Sequence, residues 1–274
     1  MELLERITDI KISDKNKFLL EETNDKYYKY LEEISQFDSE LLNNYLYTIK
    51  HSEILNNQQT EDENSFLISL YNSMNKENSL DKIIKLLKDK NELTKEDLQS
   101  LHKTLMTGTY SEELAYNFRS DNNKFVGAIN NDGTKRIDYI PIDYKKIPNS
   151  IDKALEFLNN NNIDNVFINP FIFHGALAVM QPFDDGNTRL SRLVQHAKIW
   201  KNTNHIYGKN FKKPIIYLSK NYLMTRKQYR DLIANLAINS NDEAWNKWFT
   251  YNMYMVDEQL NYLNNSVELV KKRF

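Results

Sequence analysis

Apolar residues recur at helical spacing along most of the chain. In the first 90 residues, two such faces are formed by Leu31, Ile34, Phe37, Leu41 and Leu42, and by Phe66, Leu67, Leu70 and Tyr71. A recurrence every three or four residues predicts amphipathic helices with charged outer faces. We expect these helices to form a packing layer, with the polar stretches 56–59 and 72–78 as loops between them.

The middle of the chain changes from helical periodicity to a hairpin pattern. Thr94 followed by acidic residues predicts the N-terminus of a helix that ends at Gly108. The stretches 124–129 and 136–140 then predict two strands, joined by the turn Asn130-Asn131-Asp132-Gly133. This is the one strong hairpin signal in the sequence.

Helical patterns return after Pro148. Ile151, Ala154, Leu155 and Leu158 share one face, and the strongly apolar stretch 166–180 predicts a helix buried at the centre of the fold. A second central helix is expected over 187–200, another from a Ser219 cap to about Leu236, and a last one around Trp245 and Trp248. The sequence thus predicts a mainly α fold, a helical bundle with one β-hairpin.

Composition narrows the function classes. The 274 residues include only six glycines and no cysteine, against a usual glycine share of about 7%. Glycine-rich dinucleotide and GxxxxGK phosphate loops are therefore excluded, as are disulfide scaffolds, thiolate zinc sites and cysteine nucleophiles. A net charge of −2 gives no indication of nucleic-acid or membrane binding. Without a signal peptide or a long apolar run, we expect a cytoplasmic protein.

The segment from Gln181 to Arg192, QPFDDGNTRLSR, is unusual on physical grounds. A buried helix stops at Pro182, a loop with two acids and Gly186 follows, and a second apolar helix begins at once. Two of the chain's eight arginines lie near this helix N-terminus, where they oppose the helix dipole. The N–H groups of the terminus, strengthened by these arginines, would bind an anion, and a neighbouring carboxylate suits Mg²⁺ on a polyphosphate. The alternative is a helix–loop–helix corner with surface salt bridges.

The same segment resembles the core motif of the Fic (Fic/Doc, or Fido) family, H-P-F-x-D/E-G-N-G-R-x-x-R. The matching residues are Pro182, Phe183, Asp185, Gly186, Asn187, Arg189 and Arg192. Gln181 stands in place of the catalytic histidine, and Thr188 in place of the second glycine. The likeness extends over roughly 94–255. It includes Leu101-His102-Lys103, Phe118-Arg119, Tyr139 to Pro141, His174, Tyr217-Leu218-Ser219, Tyr229, Leu232, Trp245 and Trp248-Phe249.

The resemblance implies a Fic-like domain at 94–255, an N-terminal helical region at 1–93 and a C-terminal extension at 256–274. It implies transfer of AMP from ATP to a hydroxyl of a target protein. Asp185 would hold Mg²⁺, and the nucleotide phosphates would be bound by Asp184, Gly186, Asn187, Thr188, Arg189 and Arg192. The hairpin would be a flap that docks the target by strand addition, through Lys124, Phe125, Val126 and Tyr139.

The two departures from the motif bear on activity. In the family the histidine takes the proton from the attacking hydroxyl, and Gln181 has no pKa that allows this. Positioning and charge stabilisation carry much of phosphoryl-type transfer, so partial activity is compatible with the loss. Asp184 and His174 are candidate substitute bases, although a buried histidine is more often a hydrogen-bonded core residue. Thr188 narrows the space near the phosphates or donates its hydroxyl to them.

Many Fic proteins carry an inhibitory helix with the pattern S/T-x-x-x-E-G/N. The segment His51 to Asn56 can be aligned with it, but Leu55 then replaces the glutamate, and Glu53 is out of register. Asn56 fits the last position. The alternative is an ordinary polar helix end.

Three hypotheses follow for the whole chain. The first is a divergent Fic enzyme that transfers AMP or a related phosphate-containing group from ATP with Mg²⁺. The second is a Fic pseudoenzyme that binds nucleotide or a partner without catalysis, and the third is a helical interaction module. The expected partners are a nucleotide and a target protein, with no nucleic acid or membrane, in a monomer or homodimer.

Overall fold

The structure is a computed structural model that describes residues 7–55, 64–90, 92–109, 112–129, 132–160 and 165–272; the side chains of Thr8 and of residues 52–73 are outside the description. Ten α-helices and one hairpin form in these residues. The helices are α1 (Asp14–Ile34), α2 (Ser39–Leu55), α3 (Asn64–Asp89), α4 (Lys95–Met106), α5 (Ile147–Asn159), α6 (Ile168–Met180), α7 (Asn187–Ile206), α8 (Ser219–Met224), α9 (Arg226–Asn239) and α10 (Asp242–Lys271). The expected mainly α fold is confirmed.

The two central helices, α6 and α7, pack against each other at the middle of the fold. Twelve of the thirteen residues of α6 are buried, as its strongly apolar sequence predicts. α3, α4, α5, α9 and α10 surround this pair, and α1 runs along α10. The loop between α6 and α7 therefore emerges from the buried centre of the fold.

Local capping and turn chemistry is realised as the sequence predicts. Thr94 and Asp97 form a capping box at the start of α4: the Asp97 N–H donates to Thr94 Oγ1 at 3.3 Å and the Thr94 N–H to Asp97 Oδ2 at 2.8 Å. β1 (Val126–Ile129) pairs antiparallel with β2 (Lys135–Tyr139). The predicted hairpin is therefore confirmed, although Asn130 and Asn131 of its turn lie outside the described residues.

Two local predictions for the N-terminal part of the chain are wrong. The expected loop at 72–78 lies within α3. Asparagine is a weak helix former, but the buried Asn75 donates from Nδ2 to the Thr107 carbonyl, so tertiary packing overrides its local preference. The first apolar face also crosses an element boundary, because α1 ends at Ile34 and Phe37 lies in the turn before α2.

Ser219 is not a helix cap, and no continuous helix follows it to Leu236. The N-cap is Leu218, and the Ser219 hydroxyl is buried with no hydrogen-bond partner in the described structure. The helix is interrupted at Thr225. The hydroxyl of this residue forms hydrogen bonds with the Asn221 carbonyl and the Tyr251 hydroxyl, both at 2.7 Å. Side chains that bond to nearby backbone in this way compete with helix continuation.

The boundaries drawn at 93/94 and 255/256 remain predictions, and the second falls inside α10. The predicted loop at 56–59 lies outside the described residues, as do the side chains of the Phe66 to Tyr71 face. Within the described residues, no helix combines the length and apolarity needed to cross a membrane.

Candidate functional site

Gln181, at the position of the motif histidine, ends α6 with its side chain folded into the protein. Its backbone is left-handed, with φ 47°. Its Nε2 donates to the Ala178 carbonyl at 2.6 Å, and its Oε1 accepts from Asn187 Nδ2 at 3.0 Å. The Tyr139 hydroxyl donates to the same Ala178 carbonyl at 2.7 Å. The base position thus carries an amide that is 8% exposed and bonded on both sides.

The side chain of Asn187 stabilises the motif loop, which is formed by residues 181–186 between α6 and α7. Its Oδ1 accepts from the Phe183 N–H at 2.9 Å, and its Nδ2 donates to the Phe183 carbonyl at 2.8 Å as well as to Gln181. Phe183 is fully buried, and its ring stacks on His102 with the centroids 3.8 Å apart. His102 Nε2 lies 2.8 Å from the Asp185 carbonyl. These contacts between protein groups fix the conformation of the loop.

The N-terminus of α7 has a backbone geometry that favours an anion. Gly186 is its N-cap, with φ 75° and ψ −1°, and among the described residues no side chain caps this end. A Cβ on Gly186 would lie 2.7 Å from Met106 Sδ and 2.9 Å from His102 Nε2, so both the conformation and the space require glycine. The N–H groups of the first turn and the helix dipole favour a phosphate here.

Asp185 and Arg189 form an ion pair at this end of α7. Asp185 Oδ2 accepts from an Arg189 guanidinium nitrogen at 3.0 Å, and Oδ1 accepts from the Gly186 N–H at 2.6 Å. Their side chains are 38% and 28% exposed, so both can reach a ligand. The described residues contain no group of three or more acidic, histidine or cysteine residues that could hold a metal. One reachable carboxylate fits Mg²⁺ when phosphate oxygens and water supply the other ligands.

Arg192, one turn further along α7, is a partly buried cation. In the part of the chain that the structure describes, its Nε has no hydrogen-bond partner and no carboxylate pairs with it. Its charge acts on Tyr222, Tyr229 and Tyr251. Burial raises the pKa of Tyr229 to about 12, and the adjacent Arg192 opposes this rise. A partly buried guanidinium that pairs with no carboxylate of the described residues favours binding of an anion.

The two candidate substitute bases occupy different environments. His174 is fully buried, and its ring nitrogens contact Gln195 Oε1 and, at 2.8 Å, the Tyr229 hydroxyl. Burial, and then the charge of Arg192, hold the pKa of His174 well below its usual value. Asp184 is exposed in the motif loop. Of the two, only Asp184 is exposed to solvent.

The foot of the flap, where the chain enters β1 and leaves β2, is hydrogen-bonded to the motif loop. The Arg119 guanidinium donates to the carbonyls of Gln181 at 2.9 Å, of Asp121 at 2.8 Å and of Ile142. Lys124 Nζ donates to the Asp184 carbonyl at 2.6 Å. Burial lowers the pKa of Lys124, while Asp185 and Asp184 oppose this shift. The predicted flap residue Lys124 and the motif loop are thus neighbours.

The other predicted flap residues differ in exposure. Phe125 and Val126 are half-buried and Tyr139 is buried. The Lys135 ammonium lies over the Phe125 ring, 5.1 Å from its centroid.

The key side chains of the suggested inhibitory segment lie outside the described residues. Glu53 and Leu55 lie in α2 with undescribed side chains, and Asn56 lies outside the described residues. A closer match to S/T-x-x-x-E-G/N was missed at Ser73-Met74-Asn75-Lys76-Glu77-Asn78, within α3. The spacing of its serine, glutamate and asparagine is the sequence signal that identifies this segment. α3 packs against α4 and α7, but Glu77 Oε1 pairs with Lys50 Nζ of α2 at 3.0 Å.

Comparisons with known proteins agree with this fold. A sequence profile of the Fic/DOC family matches residues 92–197. The sequence has no significant match among curated proteins.

Three solved structures share the fold. A Fic domain containing signaling protein from Bacteroides thetaiotaomicron is 14% identical, with a TM-score of 0.67, covering 90% of this chain and 96% of that one. A Fic family protein from Desulfovibrio desulfuricans is 19% identical, with a TM-score of 0.63, covering 94% and 76%. Fic-1 from C. elegans is 13% identical, with a TM-score of 0.63, covering 93% and 73%.

Proposed function

Because residues 92–197 of this chain belong to the Fic/DOC family, we propose that the protein binds ATP with Mg²⁺ and transfers AMP, or a related phosphate-containing group, to a hydroxyl side chain of a target protein. The observation that carries the proposal is the pairing of two anion-seeking features on α7. Its N-terminus lacks a side-chain cap among the described residues, and Arg192 holds a buried Nε without a partner. Both are stabilised by a polyphosphate.

The roles of the other residues follow from their positions. Asp185 would hold the metal, which when bound supplies charge neutralisation on the phosphates. Arg189 exchanges its contact with Asp185 for a phosphate oxygen. Gly186 lets the loop approach the ligand closely. Asn187 acts through its backbone N–H, since its side chain is committed to the loop.

In the transfer step, the target hydroxyl oxygen forms a bond to the α-phosphorus and the bond from that phosphorus to the β-phosphate oxygen breaks. Diphosphate leaves, and the hydroxyl proton needs an acceptor. Gln181 cannot accept it. Asp184, exposed in the same loop, is our candidate acceptor, with water as the alternative. Loss of a positioned base costs about 10²–10⁴ in rate, so we expect slow transfer.

One observation favours a second candidate function, that of a pseudoenzyme. Both polar ends of the Gln181 side chain are bonded inside the protein, which suits a scaffold more than a reacting group. Such a protein would bind nucleotide and present the flap to a partner without transferring anything.

Calorimetry with ATP and Mg²⁺ tests the nucleotide site. We expect the wild type to bind and Arg192→Met to weaken binding by about 10- to 100-fold, since a charge-assisted contact is lost. The matched control is Arg226→Met, which removes an exposed arginine of α9. Absence of binding to the wild type, or equal affinity of the Arg192→Met variant, would contradict both functions.

ATP labelled on its α-phosphate, incubated with the protein and a cell lysate, separates the two functions. Transfer predicts a labelled protein band that Asp185→Ala removes and Asp184→Asn weakens. If the wild type binds ATP but labels no protein, the pseudoenzyme function is supported and the transfer function is contradicted.

A further inference from the structure

The flap hairpin does not hold its own position. A two-stranded sheet is marginally stable in water unless something packs against it. One face of this hairpin carries Ile129 and Ile137, which are 66% and 51% exposed. These side chains contribute little burial, so the angle of the hairpin must be set by its other contacts.

The contacts at the foot of the flap fix only this end of the hairpin. Tyr139 donates to the Ala178 carbonyl, and Lys124 donates to the Asp184 carbonyl. Both residues lie at or before the first pair of the ladder, Val126 with Tyr139. A register shift follows between Val126 and Gly127, and bulges of this kind bend and twist a ribbon.

Beyond the foot, Asp138 connects β2 to α9. Its Oδ2 accepts from an Arg230 guanidinium nitrogen at 3.0 Å, and its Oδ1 accepts from Arg136 Nε at 3.1 Å. The Asp138 side chain is 22% exposed and that of Arg230 39%. The pair is therefore partly shielded from water, more at Asp138 than at Arg230.

The helix that holds Arg230 is itself fixed against the motif. Tyr229, the preceding residue, is buried, and its hydroxyl lies 2.8 Å from His174 Nε2 and beside Arg192. Consecutive residues of a helix point about 100° apart. One turn of α9 therefore contacts the core of the phosphate site with one side chain and the flap with the next.

We propose that Arg230 is a positioning residue, which holds β2 through Asp138 and so sets the docking edge of the flap relative to the nucleotide site on α7. The docking role of the flap rests on the proposed function, whereas the positioning itself does not.

Amide hydrogen exchange of residues 126–129 and 135–139 tests the positioning directly. We expect Arg230→Met and Asp138→Asn to speed exchange there about fivefold. The reversed double variant Asp138→Arg/Arg230→Asp should restore slow exchange. The matched control is Lys227→Met, since Lys227 forms an exposed pair with Asp231 on the same helix. Exchange in the Arg230→Met variant within twofold of wild type overturns the proposal.

Two further measurements separate this proposal from the proposed function. ATP affinity should be unchanged by Arg230→Met, and with a labelled target the KM for that target should rise about fivefold while kcat changes less. If exchange in the flap is faster in the Arg230→Met variant but the wild type transfers no label, the positioning role is supported and the transfer function is contradicted. Unchanged exchange would contradict the positioning even if transfer occurs.

Discussion

Asn187 Nδ2 donates to Gln181 Oε1 across the motif loop, at 3.0 Å. Gln181, at the position of the motif histidine, is thereby part of the hydrogen-bond network that stabilises the loop. Its other end donates to the Ala178 carbonyl of the preceding helix. This relationship makes the replacement of Gln181 a change in structure as well as in chemistry.

The first prediction concerns the coupling of these two side chains. Gln181→Ala and Asn187→Ala should each lower the free energy of unfolding, because buried partners are left without hydrogen bonds. The double variant should lose about 1 kcal/mol less than the sum of the two single losses. Urea denaturation of the four proteins measures this cycle. Strict additivity would show that the bond contributes nothing.

The second prediction concerns Gln181→His. An imidazole can accept the hydroxyl proton, so we expect labelling from ATP to rise about 10²-fold or more over wild type. The variant should also be less stable by about 1 kcal/mol, since an imidazole cannot replace both amide bonds. Gln181→Ala is the matched control, because it loses the same bonds and gains no base. Equal labelling by the histidine and alanine variants would exclude base restoration.

The third prediction concerns the pH dependence of stability. Lys198 is 1% exposed, its Nζ has no hydrogen-bond partner in the described structure, and burial lowers its pKa to about 8. The unfolded chain holds this proton up to a pKa of about 10.4. Between these values the folded state binds fewer protons, so the contribution of Lys198 makes the free energy of unfolding rise with pH.

Lys198→Met should therefore raise the free energy of unfolding by about 2–3 kcal/mol at pH 7, with the gain shrinking toward pH 9.5. Urea titrations across this range measure the difference between variant and wild type. Exposed Lys153 of α5 supplies the control Lys153→Met, for which we expect no pH-dependent gain. A constant difference across the range would mean that Lys198 does not titrate as described.

The fourth prediction concerns the glycine of the motif loop. Gly186→Ala should be less stable than Gly208→Ala by about 1–3 kcal/mol. Both glycines have positive φ, 75° and 59°, but a Cβ at Gly208 meets nothing within 4 Å. The difference isolates the overlap with Met106 and His102 from the backbone strain that the variants share. Equal losses in denaturation experiments would show that the neighbours move aside.

Most elements of this fold are encoded by local signals. The capping box at Thr94 and the apolar sequence of α6 act within a few residues, so the sequence indicates them correctly. The motif from Pro182 to Arg192 is also local, because the loop and the first turns of α7 carry all of it. The wrong predictions arise where a distant partner decides, as with Asn75 and the Thr107 carbonyl.

The sequence by itself determined the mainly α fold, the hairpin, the likeness to the family motif and the glutamine at the position of its histidine. Only the tertiary structure decided that Gln181 is folded inward, that His174 is sealed in the core and that Arg192 has no acid partner among the described residues. It also brought Asp138 to Arg230, which are 92 positions apart in the chain. The physical reason is that hydrogen bonds, charge and burial depend on which groups meet in space, and contacts between distant elements leave no spacing to read in the sequence.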